Sequence, residues 1–129
     1  MIFVDTNYFL RLFLADNAHQ YQTAKELINN AAVGKVKIFT STIVVFEIYW
    51  VLRSYYQRDK EQIVKTLEDF LNLEFIQLEE RERLRGSLKL FRDSRISLVD
   101  CYNLIFAKGL GAKAFKTFDK KLAKFISVD

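Results

Sequence analysis

Proline is absent from this sequence and glycine occurs only four times. Few glycines and no proline argue against a long flexible or stiffened linker, so one domain over residues 1–129 is expected for a chain of this length. A single cysteine, Cys101, excludes an internal disulfide framework and a multi-cysteine zinc site. It adjoins an acid on an otherwise apolar stretch and reads as a small core residue. The one histidine, His19, lies among polar residues and is expected to face solvent. Long apolar runs are also missing. Ile43–Phe46 is cut by Glu47 before Ile48–Leu52 resumes, too short to span a bilayer. The first residues carry no basic cluster, so no secretory signal is expected and a cytoplasmic setting fits.

What is present is a core. Half of the residues are hydrophobic, with 12 Phe and 6 Tyr, which excludes a disordered chain. Charge is unevenly spread. Residues 1–80 carry 8 basic and 11 acidic side chains, residues 81–129 carry 12 and 5, and the whole chain is +4. A basic C-terminal part points to an anionic partner, with nucleic acid the first candidate, against the alternative of a solvated lysine-rich face.

Periodicity predicts strands at 1–5, 35–40, 75–78 and 113–117, with a possible fifth at 126–128. Helices are expected near 7–14, 18–32, 41–56, 59–72, 79–93, 97–108 and 120–124, two of them closing near Gly34 and near Gly109 or Gly111. Strands separated by helices imply a parallel sheet covered on both faces, an α/β fold.

Four acids stand out. Asp5 ends the opening strand, where an open parallel sheet presents its ligands. Asp119 follows the fourth expected strand, and Asp100 lies in the first turn of the helix before it. Each of these three has a second reading as a helix cap, worth about 1 kcal/mol, and Ser97-Leu98-Val99-Asp100 has capping-box spacing. Glu47 differs. Its helical neighbours Ile43, Val44, Trp50 and Val51 are apolar, and no cation lies within a turn. If buried it would be costly without a counter-charge; the alternative is exposure to solvent. Convergent carboxylates suit Mg²⁺ or Mn²⁺, hard ions that prefer oxygen ligands.

Phe3-Val4-Asp5-Thr6-Asn7, Glu47 followed by Ile48-Tyr49-Trp50-Val51-Leu52, Ser97-Leu98-Val99-Asp100-Cys101 and Thr117-Phe118-Asp119-Lys120-Lys121-Leu122 together resemble the PIN domain, and within it the VapC-type toxins of toxin–antitoxin pairs. The resemblance covers essentially the whole chain. It implies a three-layer α/β/α fold with a parallel sheet of four to five strands, and Asp5, Glu47, Asp100 and Asp119 as metal-site acids. Thr6, Asn7 and Thr117 match supporting positions, and Asn103 lies one turn after Asp100. The implied activity is Mg²⁺- or Mn²⁺-dependent hydrolysis of RNA phosphodiesters, leaving a 3′-hydroxyl and a 5′-phosphate. A cognate antitoxin and a homodimer are the implied partners. Phe46, Tyr49 and Trp50, with the helix near 59–72, would form a docking region, although core packing also accounts for most of those aromatics.

Two other readings compete. A PIN-like nuclease in RNA processing shares the chemistry, and a non-catalytic RNA- or protein-binding module would be indifferent to metal. Lys113, Lys116, Lys120, Lys121 and Lys124, with Arg81, Arg83, Arg85, Arg92 and Arg95, are candidates to follow an RNA backbone, which positions a substrate without reading its sequence.

Overall fold

Ile2–Phe3 forms β1 and pairs in parallel with β2 (Ile38–Phe39), which pairs in parallel with β3 (Ile76–Gln77). The computed structural model describes residues 1–128, with the strand order β1-β2-β3. Register is set by Ile2 opposite Ile38 and Ile38 opposite Ile76. Hydrogen bonds continue past the short strands, from Val4 N–H to the Phe39 carbonyl (3.0 Å) and from Thr40 N–H to the Gln77 carbonyl (3.0 Å). Because all three strands run the same way, they end at one edge. Asp5, Ser41 and Glu79 lie just beyond it.

The chain divides into two compact units, Met1–Arg81 and Glu82–Asp129. The first contains the sheet with α1 (Thr6–Leu14), α2 (Ala18–Ala32), α3 (Thr42–Ser54) and α4 (Lys60–Leu71). Its core is built on apolar residues at helical spacing. On α4, Ile63, Leu67, Phe70 and Leu71 are buried. Phe70 meets fully buried Phe9 of α1 edge-to-face, ring centroids 4.8 Å apart. Such a pair adds about 1 kcal/mol to the area it buries.

The second unit holds most of α5 (Arg81–Asp93), then α6 (Leu98–Gly109) and α7 (Lys120–Val128). Leu84, Leu88 and Phe91 form the buried stripe of α5, and Leu98, Cys101 and Leu122 are also buried. Cys101 is fully buried, the core role expected of it.

Local signals account for most helix ends. Gly34 (φ +84°) and Gly111 (φ +74°) follow α2 and α6 in the left-handed region. There the amides of Lys35 and Ala112 bond back to the carbonyls of Asn30 and Ala107.

The sheet is smaller than the sequence suggested. Lys113–Thr117 has no regular structure, and Ile126–Val128 is the end of α7 rather than a strand. The described residues therefore contain three strands, not four or five. Lys113–Thr117 has one large apolar side chain, Phe115, so little hydrophobic burial favours holding it in a sheet. Ile126 instead continues a helical face begun at Leu122 and Phe125.

Candidate active site

Asp5 stands at the N-cap of α1 with extended backbone (φ −86°, ψ 168°), yet its side chain accepts no cap hydrogen bond. Five other helix starts differ. Asn17, Ser41, Asp59, Ser97 and Asp119 each accept from a backbone N–H three residues on. The capping alternative therefore fails for Asp5, whose exposed carboxylate has both oxygens uncommitted.

The backbone behind Asp5 is fixed. Thr40 is buried, and its hydroxyl donates to the Val4 carbonyl at 2.8 Å, joining the ends of β1 and β2. Thr6 is 6% exposed, and its hydroxyl oxygen has no hydrogen-bond partner. Asn7 is exposed and lines a cleft of about 400 Å³ with Tyr8, Arg11, His19, Gln20 and Thr23. His19 is exposed there, as expected.

A second cleft of about 390 Å³ opens at the strand ends, lined by Phe3, Thr40, Ser41, Thr42, Glu79 and Glu80 among others. The Thr42 hydroxyl donates to Glu80 Oε1 at 2.7 Å. The sequence reading missed Thr40, Ser41 and Glu80. The signal was there: Thr40-Ser41-Thr42 follows its strand as Asp5-Thr6-Asn7 follows the first.

For Glu47, on α3, exposure rather than burial is what the structure shows, so the cost of burying its charge does not arise. Ile43 (66% exposed) and Trp50 (53%), one turn to either side, are exposed as well. Arg53 is engaged elsewhere, donating to the Tyr49 hydroxyl at 2.7 Å. Tyr49 is buried, as core packing required, whereas Trp50 is not.

In the second unit, Ser97 Oγ accepts from the Asp100 N–H at 3.1 Å. The half-buried Asp100 carboxylate does not complete the capping box. Asn103 is exposed on the same helix. Asp119 does cap α7: its Oδ1 accepts from Leu122 N–H at 2.9 Å, while its own N–H donates to Thr117 Oγ1 at 3.1 Å. Capping was the structural alternative for Asp119, and here it holds, leaving Oδ2 available.

Several of the cations are also committed. Arg81 donates to the carbonyls of Leu71, Leu73 and Ile76. The guanidinium of Arg83 lies 4.7 Å from the Phe106 ring centroid. Arg85 pairs with Glu82 and Arg92 with Asp93, and Lys121 Nζ donates to the Arg95 carbonyl.

A family model described as PIN domain matches residues 2–126. The chain belongs to the PIN domain family. The PIN fold is a three-layer α/β/α arrangement, in keeping with the parallel sheet and helices seen here. This PIN chain is 25% identical over 112 residues to a protein named VapC ribonuclease from Aquifex aeolicus (strain VF5), covering 87% of this chain and 83% of that protein. No solved structure gives a significant match.

PIN nucleases generally use divalent metals. Asp5, Glu47, Asp100 and Asp119 each offer oxygen, the donor type such ions prefer, and Asp5 is not used for capping. Among the described residues, no group of three or more His, Cys, Asp or Glu side chains stands ready to hold a metal.

Proposed function

We propose that this PIN domain is a metal-dependent endoribonuclease, the toxin of a toxin–antitoxin pair, working as one domain across residues 1–129. The family match over residues 2–126 takes in both units, and the VapC ribonuclease likeness covers most of the chain. The observation that carries the reading is Asp5, a carboxylate at the end of β1 in N-cap position that makes no cap bond. An acid so placed is available for a ligand.

In this reading Asp5, Glu47, Asp100 and Asp119 hold Mg²⁺ or Mn²⁺, which supplies charge neutralisation and a more acidic bound water. Thr6, Asn7, Asn103 and Thr117 support those acids. Thr117 does so by fixing the backbone of Asp119. Of the ten candidate cations, Lys113, Lys116, Lys120, Lys124 and Arg95 are exposed with no internal role assigned to their charge, and they attract the RNA backbone. Hydrolysis adds water across the phosphodiester, leaving a 5′-phosphate and a 3′-hydroxyl.

A cognate antitoxin, a homodimeric assembly and a cytoplasmic setting complete the proposal. The exposed Ile43 and Trp50 of α3 support a protein-docking role, and no described helix is long and apolar enough to cross a membrane.

The test is cleavage of defined RNAs by purified protein with Mg²⁺ or Mn²⁺, with EDTA, and with Asp5→Asn. Cleavage that EDTA and Asp5→Asn both abolish is expected. Cleavage unaffected by either would overturn the metal assignment, and RNA binding without cleavage would favour a binding module. Growth arrest on expression, relieved by a partner encoded beside it, separates a toxin from an RNA-processing nuclease.

A further inference from the structure

Phe118 is the most exposed large apolar residue described, at 106% of its reference area; Tyr55 follows at 79%. Single apolar side chains at a surface are ordinary. Three further observations set this one apart. Its flanking residues are pinned, because Asp119 N–H donates to Thr117 Oγ1 and Asp119 Oδ1 accepts from Leu122 N–H. Leu122 is buried, so the turn that projects Phe118 is anchored in the core of its unit. Exposed Lys116 and Lys120 stand two residues to either side.

A ring held out on a fixed turn loses little conformational freedom when something stacks on it. Aromatic rings among cations are what single-stranded nucleic acid binds: the cations attract phosphates while bases stack on the ring faces. A protein partner would also cover a phenyl group, but the neighbouring lysines favour an anionic one.

We infer that Phe118 is a positioning residue, a stacking platform for an unpaired base of the RNA, with Lys116 and Lys120 drawing the adjoining phosphates. The inference rests on the ribonuclease reading above and adds a defined subsite to it. The platform is tolerant of base identity, since every base presents a π-face.

The test measures binding of short single-stranded oligouridylate to the full chain in an Asp5→Asn background, compared with an abasic strand of equal length. Phe118→Ala is expected to weaken oligouridylate binding about ten-fold and to leave abasic binding and the salt dependence unchanged. Phe118→Trp should restore affinity and show indole emission quenched by the RNA beyond any change of Trp50 in the parent. Lys120→Gln should instead lower the salt slope by about one phosphate contact. Equal losses on both strands, or failure of Phe118→Trp to restore binding, would overturn the platform. So would unchanged RNA affinity, whether or not association with a protein is lost. If the wild-type chain does not cleave RNA and the Asp5→Asn chain does not bind it, the ribonuclease reading falls and the platform with it; if wild type cleaves, Asp5→Asn binds, and Phe118→Ala in that background binds equally well, the platform alone falls.

Discussion

The hydroxyl of Thr40 donates to the carbonyl of Val4 at 2.8 Å, so the residue before Asp5 is tied to the end of the neighbouring strand. Both residues are buried. Thr40→Val keeps the shape and removes the donor, and should lower stability by about 1–2 kcal/mol. Thr40→Ser should recover most of that. Urea denaturation measures the stability, and RNA cleavage run in parallel should fall with Thr40→Val as the Asp5 backbone loosens.

Asp5 and Asp119 should separate under alanine substitution. Asp119→Ala removes a cap bond to Leu122 N–H and should cost about 1 kcal/mol. Asp5→Ala removes no such bond and should cost clearly less in the same denaturation experiment. Under the proposed function both variants lose cleavage. Equal destabilisation would show that Asp5 caps its helix in solution.

Because Glu47 is exposed, Glu47→Gln should change stability by no more than about 0.5 kcal/mol. Metal-dependent cleavage should nevertheless fall, by at least the roughly 10- to 100-fold that loss of a supporting group costs a metal site. Full activity in Glu47→Gln would remove this residue from the proposed metal set.

Arg81 fastens the start of α5 to three carbonyls of Leu71, Leu73 and Ile76. Arg81→Ala should destabilise the protein by about 2–3 kcal/mol, since hydrogen bonds from a charged donor are lost together. Arg81→Lys should recover only part of this, because an ammonium lacks the planar fork that reaches several acceptors. Thermal melts of the three proteins test the order.

Asp16 accepts from the Tyr56 hydroxyl at 2.9 Å and from Arg11 at 3.0 Å. The Tyr56 hydrogen bond, followed by Arg11, holds the Asp16 carboxyl below its usual range. Tyr56 itself is raised, chiefly by the bond to Asp16. A depressed acid contributes stability above its unfolded value and loses it as pH falls through the folded one. A raised phenol contributes below its unfolded value and loses it as pH rises through the folded one. The advantage of wild type over Tyr56→Phe should therefore be greatest between about pH 5 and 9, and shrink below about pH 4 and above about pH 10. Denaturation across pH provides the measurement.

Much of the fold was legible because its signals are local. The apolar spacing of Ile63, Leu67, Phe70 and Leu71 marked α4, and all four are buried. Gly34 marked the end of α2, and Gly111, one of two glycines considered, the end of α6. The match over residues 2–126 bears out the family resemblance carried by the four acid-bearing segments. What failed was long-range. Lys113–Thr117 had an acceptable composition for a strand but no regular structure, because a strand exists only through its neighbours. Glu47 stood between burial and exposure, because neighbours three and four residues away do not fix which stripe of α3 meets the core; it is exposed.

By itself, then, the sequence determined the alternation of strands and helices, the family, and which acids are candidates, since these follow from contacts within a few residues or from the order of motifs. The tertiary structure decided how those acids are engaged: Asp119 caps a helix, Asp5 does not, and Glu47 is solvated. It also placed Thr40 against Val4, 36 residues away in sequence, and left Phe118 wholly outside the core. Hydrogen-bond partners and exposure depend on which distant segments meet, and no local pattern encodes that.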